Sequence, residues 1–272
     1  MELTPEQIAE FDDRGLLVFP GLLQPQEVAQ LTVRLPELYS RTGPEVVREK
    51  QSNNIRLVYG THDFCKPFSH LSKLPRLLNP MRQLLRGEAY LHQSRLNPKL
   101  GFSGGAWNWH QDFGTWHRED GMPEPHCVMT AVLLHKATAV NGPLLVIPGT
   151  HKLGMSEDVR PEADAKGYTV MEINESVVTD LAGKQGIEPV MGSAGTVAFI
   201  HCNLIHGSAS NVSPWPRHHL PELQLGEQPS HWRQPAGVVP QQSEPCPTGS
   251  WFRSGTGCLK RGFRRMLTPT QR

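Results

Sequence analysis

Between residues 88 and 202 the chain is a succession of short β-prone runs, and their spacing constrains the fold more than any other feature. Residues 90–97, 107–113, 127–134, 144–147 and 196–202 form the runs. Gly101, Gly104-Gly105, Asn141-Gly142-Pro143, Pro148-Gly149 and Gly192 punctuate them. Turn formers are abundant, with 25 glycines and 24 prolines, as many tight connections require. Short strands with frequent turns favour a sandwich or jelly roll over a parallel sheet.

Ahead of this region the pattern is helical. Thr4 is placed to cap a helix with Pro5 at its first position and Gln7 closing a capping box; Gly15 stops it before an apolar strand over 16–19. Pro25 and Glu27 open a second helix with Val28, Leu31, Leu35 and Leu38 on one face, bent or ended by Pro36. A third covers 76–86, with Leu77, Leu78, Met81, Leu84 and Leu85 inward and Gly87 as its stop. Residues 156–186 are polar and mixed, a loop carrying one short helix over 175–182. The expected organisation is one mainly β domain with flanking helices (α+β) over 1–217. Its N-terminal helices span about 4–86 and its β core about 88–217.

With 27 basic and 26 acidic residues the net charge is +1, so no global field favours nucleic acid or an anionic membrane. No apolar run reaches membrane-spanning length. The acidic start Met1-Glu2-Leu3-Thr4-Pro5-Glu6 lacks the basic and apolar blocks of a signal peptide. The five cysteines are odd in number and form no CxxC pair, which fits a reduced, cytoplasmic setting.

The chemistry-bearing residues lie inside the β region. In an extended strand positions i and i+2 share a face, so His110 and Asp112 of His110-Gln111-Asp112 can grip one ion together. His206, far along the chain, is brought in by the fold; His201 competes with it. Two imidazoles and one carboxylate are the ligand set that holds non-haem Fe(II) and leaves positions open. Arg217 offers a guanidinium fork to a carboxylate. An isolated His-x-Asp is weak evidence, since such tripeptides arise by chance.

A longer ordered set of motifs is specific. His92-Gln93-Ser94-Arg95-Leu96-Asn97 is followed by the run from Trp109-His110-Gln111-Asp112 through Trp116-His117-Arg118-Glu119-Asp120-Gly121-Met122. Asn141-Gly142-Pro143-Leu144, Pro148-Gly149-Thr150-His151, His206-Gly207-Ser208 and Pro216-Arg217 come next. Together they resemble the phytanoyl-CoA-dioxygenase-like Fe(II)/2-oxoglutarate oxygenases, in particular the bacterial branch holding ectoine and L-proline trans-4-hydroxylases. The resemblance runs from about residue 5 to 217. It implies a double-stranded β-helix, a cupin-like jelly roll, with Fe(II) held by His110, Asp112 and His206. It implies 2-oxoglutarate and O₂ as co-substrates, the former decarboxylated to succinate and CO₂ as a C–H bond is hydroxylated. Arg217, Ser208 and Asn97 are the expected co-substrate contacts. Trp107 and Trp109 read either as walls of the pocket or as plain core, and Met129 or Thr130 stands where the ectoine enzymes usually carry a co-substrate-binding serine.

Gln93 and Trp116 match substrate-facing positions of the ectoine enzymes. Arg95 pairs with a carboxylate in the site or is a satisfied surface cation. Arg118 replaces the apolar residue usual in the ectoine enzymes and follows the proline pattern, as do Trp109-His110-Gln111-Asp112 and Pro125-His126, so it is read as anchoring an amino-acid carboxylate. The leading expectation is therefore a hydroxylase of free L-proline, with ectoine as the alternative substrate. A non-catalytic jelly roll that binds metal or a small ligand is the competing class. His92, His117 and His126 read either as groups orienting the ligands or as plain structural histidines.

Residues 218–272 break the pattern. They contain no aspartate and finish on Arg261, Arg264, Arg265 and Arg272, with neither strand alternation nor a helical face. The expectation is an atypical ending, frameshifted or poorly ordered, that leaves the last core strand missing or makeshift. A nucleic-acid-binding arm is the weaker reading.

Overall fold

The computed structural model describes residues 1–49, 52–163 and 169–226. Two antiparallel sheets face each other, with the N-terminal helices packed on the outer face of the larger. In chain order the strands are β1 (Leu16–Phe19), β2 (Val46–Arg48), β3 (Ile55–Tyr59), β4 (Tyr90–Lys99), β5 (Trp107–His110), β6 (Cys127–Val132) and β7 (Leu144–Val146). They continue as β8 (Val159–Ala163), β9 (Thr169–Ile173), β10 (Glu188–Val190), β11 (Val197–His201), β12 (His206–Ser208) and β13 (Arg217–Gly226). The seven-stranded sheet runs β1-β11-β6-β13-β4-β3-β2, and the six-stranded sheet runs β10-β7-β12-β5-β9-β8. This is the jelly roll expected from the strand spacing.

The first helix, α1 (Pro5–Arg14), follows the sequence rules: Thr4 and Gln7 close a reciprocal capping box and Gly15 ends it at φ 72°. A Cβ on Gly15 would meet the His151 ring, so glycine is required twice over. The expected second helix is two: α2 (Pro25–Thr32) and α3 (Leu35–Tyr39). Pro36 opens α3 rather than ending a longer helix, because proline lacks only the N–H that a first turn leaves unbonded anyway. Two short helices that the periodicity missed, α4 (Thr61–Phe64) and α5 (Lys66–Leu71), precede α6 (Pro75–Leu85). The left-handed residue that stops α6 is Arg86, at φ 54°, not Gly87; its guanidinium lies 2.7 Å from Asp12.

Strand parity sorts the core. Val128 and Val132 of β6, with Val197 and Phe199 of β11, pack against the helices. Met129, Ala131, Ala198 and Ile200 fill the space between the sheets with Leu144 and Val146. Both faces of this sheet are covered, which is why β6 is buried at every position.

Two stretches read as irregular carry strands or a helix among their described residues. Residues 156–186 hold the β8–β9 hairpin as well as α8 (Glu175–Gln185). The strand that Arg217 opens continues to Gly226, pairing with β4 on one side and β6 on the other. The expected boundary at 217 therefore falls inside a central strand. Backbone pairing between two waiting edges makes this strand without apolar alternation in its sequence. Its register with β4 shifts twice, once between His219 and Glu222. Pro221 lies in that interval, where its missing N–H cannot interrupt the ladder. Residues 227–272, with the basic finish and the nucleic-acid reading attached to it, lie outside the described residues.

Candidate metal centre

His110 ends β5 and His206 opens β12, and the two are direct cross-strand partners. Their ring centroids are 4.2 Å apart. His110 Nδ1 lies 2.7 Å from the Asn108 carbonyl, and His206 Nδ1 lies 2.9 Å from that of Leu204. A ring that donates through Nδ1 keeps its Nε2 lone pair for a metal. Asp112 completes the set, with one carboxylate oxygen 3.7 Å from His110 Nε2 and the other 3.7 Å from His206 Nε2. All three residues are buried, and their ligand atoms lie within 4.8 Å of one another.

The route to this geometry differs from strand alternation. β5 stops at His110, Gln111 is still extended (φ −116°, ψ 125°), and Asp112 opens a helical turn, α7 (Asp112–Thr115). The Phe113 N–H is taken by the Cys202 carbonyl at 3.0 Å, so the chain leaves the β5–β12 pairing as it places the carboxylate.

Burial first, and His206 next, push the His110 imidazole down to about 3, which keeps it neutral, as a ligand must be. Burial alone would raise the Asp112 carboxyl. Arg95, followed by His206 and His110, outweighs it and holds the group below the usual carboxylate range. Arg95 Nη2 lies 3.2 and 3.3 Å from the two Asp112 oxygens, so this cation belongs to the site and not to the surface. Two imidazoles with Nε2 turned to the site, a held carboxylate and an open side fit Fe(II) better than a four-coordinate structural metal. That side is a cleft lined by Tyr59, Arg95, Trp107, Thr115 and Val170 beside His110 and Asp112. Tyr59, Thr115 and Val170 carried no sequence signal.

Alternate residues of β4 follow one face across the large sheet. Arg95 reaches Asp112, and Asn97 Oδ1 accepts from Trp107 Nε1 at 3.3 Å. Lys99 donates to the Gly105 carbonyl at 2.7 Å and to those of Ser208 and Ala209. Lys99 pairs in register with Arg217 of β13, and both are fully buried. Burial first, then Arg217, lower the Lys99 ammonium to about 6. Sequence reasoning missed Lys99, although its i+2, i+4 relation to Asn97 and Arg95 was legible. Ser208 is buried on β12 opposite Trp107.

Other expected residues lie elsewhere. Thr130 shares its face with Val128 and Val132, and its hydroxyl meets the Met81 sulfur of α6 at 3.1 Å. Strand parity therefore turns Thr130 toward the helices and Met129 inward, which corrects Thr130 as a co-substrate contact. Trp116 is fully buried against the His92 ring, centroids 5.1 Å apart. Its indole N–H and the Gln93 side-chain oxygen have no hydrogen-bond partner among the described residues. Arg118 sits in a π-helical segment (Trp116–Asp120). It binds the Gly114 carbonyl at 2.9 Å, the Met155 sulfur at 3.3 Å and Glu157 at 3.4 Å, and it is not among the cleft-lining residues. His201 stands apart from the three ligands, packed on His151 with ring centroids 4.8 Å apart. His92 reaches Asp120 at 3.3 Å and His117 the Met122 carbonyl at 2.7 Å, so both brace the 116–122 segment. His126 closes a turn through the Glu124 carbonyl.

Known proteins are similar to this chain in sequence and fold. The chain is 36% identical over 224 residues to ectoine dioxygenase of Halomonas elongata, covering 79% of this chain and 68% of that one. It is 39% identical over 208 residues to L-proline trans-4-hydroxylase of Streptomyces griseoviridis, covering 73% and 78%. The crystal structure of EctD from S. alaskensis with 2-oxoglutarate and 5-hydroxyectoine superposes with a TM-score of 0.72 at 36% identity, covering 82% of this chain and 76% of that one. The same protein with bound Fe gives 0.71 at the same identity and coverage. Residues 11–219 match the phytanoyl-CoA dioxygenase (PhyH) family, and the chain belongs to that family.

Proposed function

We propose that this chain is an Fe(II)- and 2-oxoglutarate-dependent hydroxylase of a small cyclic amino acid, L-proline first and ectoine as the alternative. The observation that carries the reading is the placement of a buried two-His, one-Asp cluster beside buried cations of the opposite sheet. Bound iron supplies C–H hydroxylation by O₂, coupled to decarboxylation of 2-oxoglutarate to succinate. His110 and His206 offer Nε2, and Asp112 is held as a carboxylate by Arg95. The distal carboxylate of a keto acid meets the Arg217 fork, with Lys99 beside it and Ser208 on the facing strand. An anion bound there favours the charged form of Lys99, which burial and the neighbouring Arg217 otherwise disfavour.

For the substrate, the unpartnered polar atoms of Gln93 and Trp116 support these two as groups that await a ligand. Arg118 spends its guanidinium on a carbonyl, a thioether and an exposed glutamate, contacts that a substrate carboxylate can displace. Together with the Trp-His-Gln-Asp pattern, this supports proline as the first choice. The test is succinate release from 2-oxoglutarate with Fe(II) and O₂, supplied in turn with proline, ectoine and pipecolate. Faster turnover with proline than with ectoine supports the first choice, and the reverse order selects ectoine. No turnover with any of them leaves a metal-binding jelly roll.

A further inference from the structure

Gln111 stands between two of the ligands, yet its side chain faces away from them and is fully engaged. Its Nε2 shares two protons among the Asn203 carbonyl at 2.8 Å, the Asn203 side-chain oxygen at 3.0 Å and the Gly154 carbonyl at 3.0 Å. Its Oε1 accepts from the Ser156 N–H at 2.8 Å. Gln111 and Asn203 are both buried. Asn203 is tied in turn, donating through its side chain to the His151 carbonyl and through its backbone N–H to His201 Nδ1, both at 3.1 Å. The next residue, Leu204, provides the carbonyl that orients the His206 ring.

We propose that the Gln111 carboxamide is a positioning group that locks the His110–Asp112 turn to the turn presenting His206, and so sets the geometry of all three ligands. The two turns belong to different segments, and their backbone ties are the Phe113 N–H bond to the Cys202 carbonyl and a β5–β12 pairing at two positions with a register shift between them. A fixed separation needs a further tie. A primary amide is suited to it, since it offers two protons and an acceptor at one point. A methionine would fill the same space but leave the Asn203 and Gly154 carbonyls short of a donor. A glutamate would point an anion at them. Metal sites tolerate ligand displacements of about 0.2 Å, so a small slip between the turns is felt as lost affinity.

The proposal rests on the iron-site reading, and metal binding is therefore measured apart from turnover. Full-length wild type, Gln111→Met, Gln111→Glu and Asn203→Ala are titrated with Co(II), following its visible ligand-field spectrum, and thermal unfolding of the metal-free proteins is recorded. Asn141→Ala is the control: Asn141 is a buried amide that braces the turn before β7 through Thr138 and Lys136. Both Gln111 variants should bind Co(II) about 10–100-fold more weakly, with an altered spectrum. Asn203→Ala should do the same, and Gln111→Met combined with it should cost no more than the worse single change. The control should lower the melting temperature and leave affinity and spectrum unchanged. In active variants, succinate should be released in excess over hydroxylated product.

Wild-type affinity and spectrum in both Gln111 variants would overturn the proposal. So would equal loss in Asn141→Ala, or failure of every Gln111 variant to fold, which would assign the residue to stability alone. Wild type that binds Co(II) through His110 but turns over no substrate would sink the hydroxylase reading and leave this one standing.

Discussion

His110 and His206 owe their ligand state to what surrounds them as much as to their spacing. Their Nδ1 atoms are committed to backbone carbonyls and burial keeps His110 unprotonated. His201 shows burial acting without a metal: burial first, then His151, push it down to about 3. Its unfolded value is about 6.5. The unfolded chain binds the extra proton between those limits, so the stability linked to His201 is full above pH 6.5 and is lost as pH falls toward 3. Denaturant titrations of the metal-free protein across this range should show a falling unfolding free energy. His201→Asn, which keeps an acceptor for the Asn203 N–H, should flatten the fall; an unchanged slope would remove His201 as its source. Arg118 makes the other residue-scale prediction. Arg118→Ala should raise the KM for proline about tenfold or more, the scale of a lost charge-assisted contact, and leave the KM for 2-oxoglutarate unchanged. Equal KM values for proline in both proteins would leave Arg118 as a brace of the Met155–Glu157 loop.

Among the elements, α1 was legible to the residue because a capping box, an N1 proline and a terminal glycine are local devices. α3, α4 and α5 were not, since helices of four to six residues carry too little periodicity to count. β13 was missed for the opposite reason: its pairing partners, β4 and β6, lie far away in sequence. Leu223 is paired on both sides, with Ser94 and with Thr130. Leu223→Pro should therefore remove a ladder bond in the middle of the large sheet and cost about 3 kcal/mol or more. Urea denaturation measures it, and a loss below about 1 kcal/mol would mean the strand contributes little to holding the sheet.

Across the whole molecule the site divides between the layers. His110 and His206 come from the small sheet, with Asp112 just beyond β5, whereas Arg95, Lys99 and Arg217 come from the large one. A keto acid that chelates the metal and meets Arg217 would bridge the sandwich. Under anaerobic conditions, 2-oxoglutarate and Mn(II) together should raise the melting temperature by more than the sum of their separate effects. At about 100 times Kd, one ligand stabilises by about 2.7 kcal/mol. Arg217→Met should abolish the excess and keep the metal-only shift; strictly additive shifts in the wild type would separate the two binding events.

The sequence by itself determined the periodicities, the caps and the identity of the ligand-bearing motif, because those depend on neighbours within a turn or two. It named His110, Asp112, His206 and Arg217, yet left Arg95 undecided between site and surface, chose Thr130 on the wrong face of β6, and passed over Lys99 and β13. The tertiary structure decided these, because strand parity, register and burial are fixed only when distant segments pair. A cation becomes part of a site only when the fold closes a carboxylate or a second cation upon it.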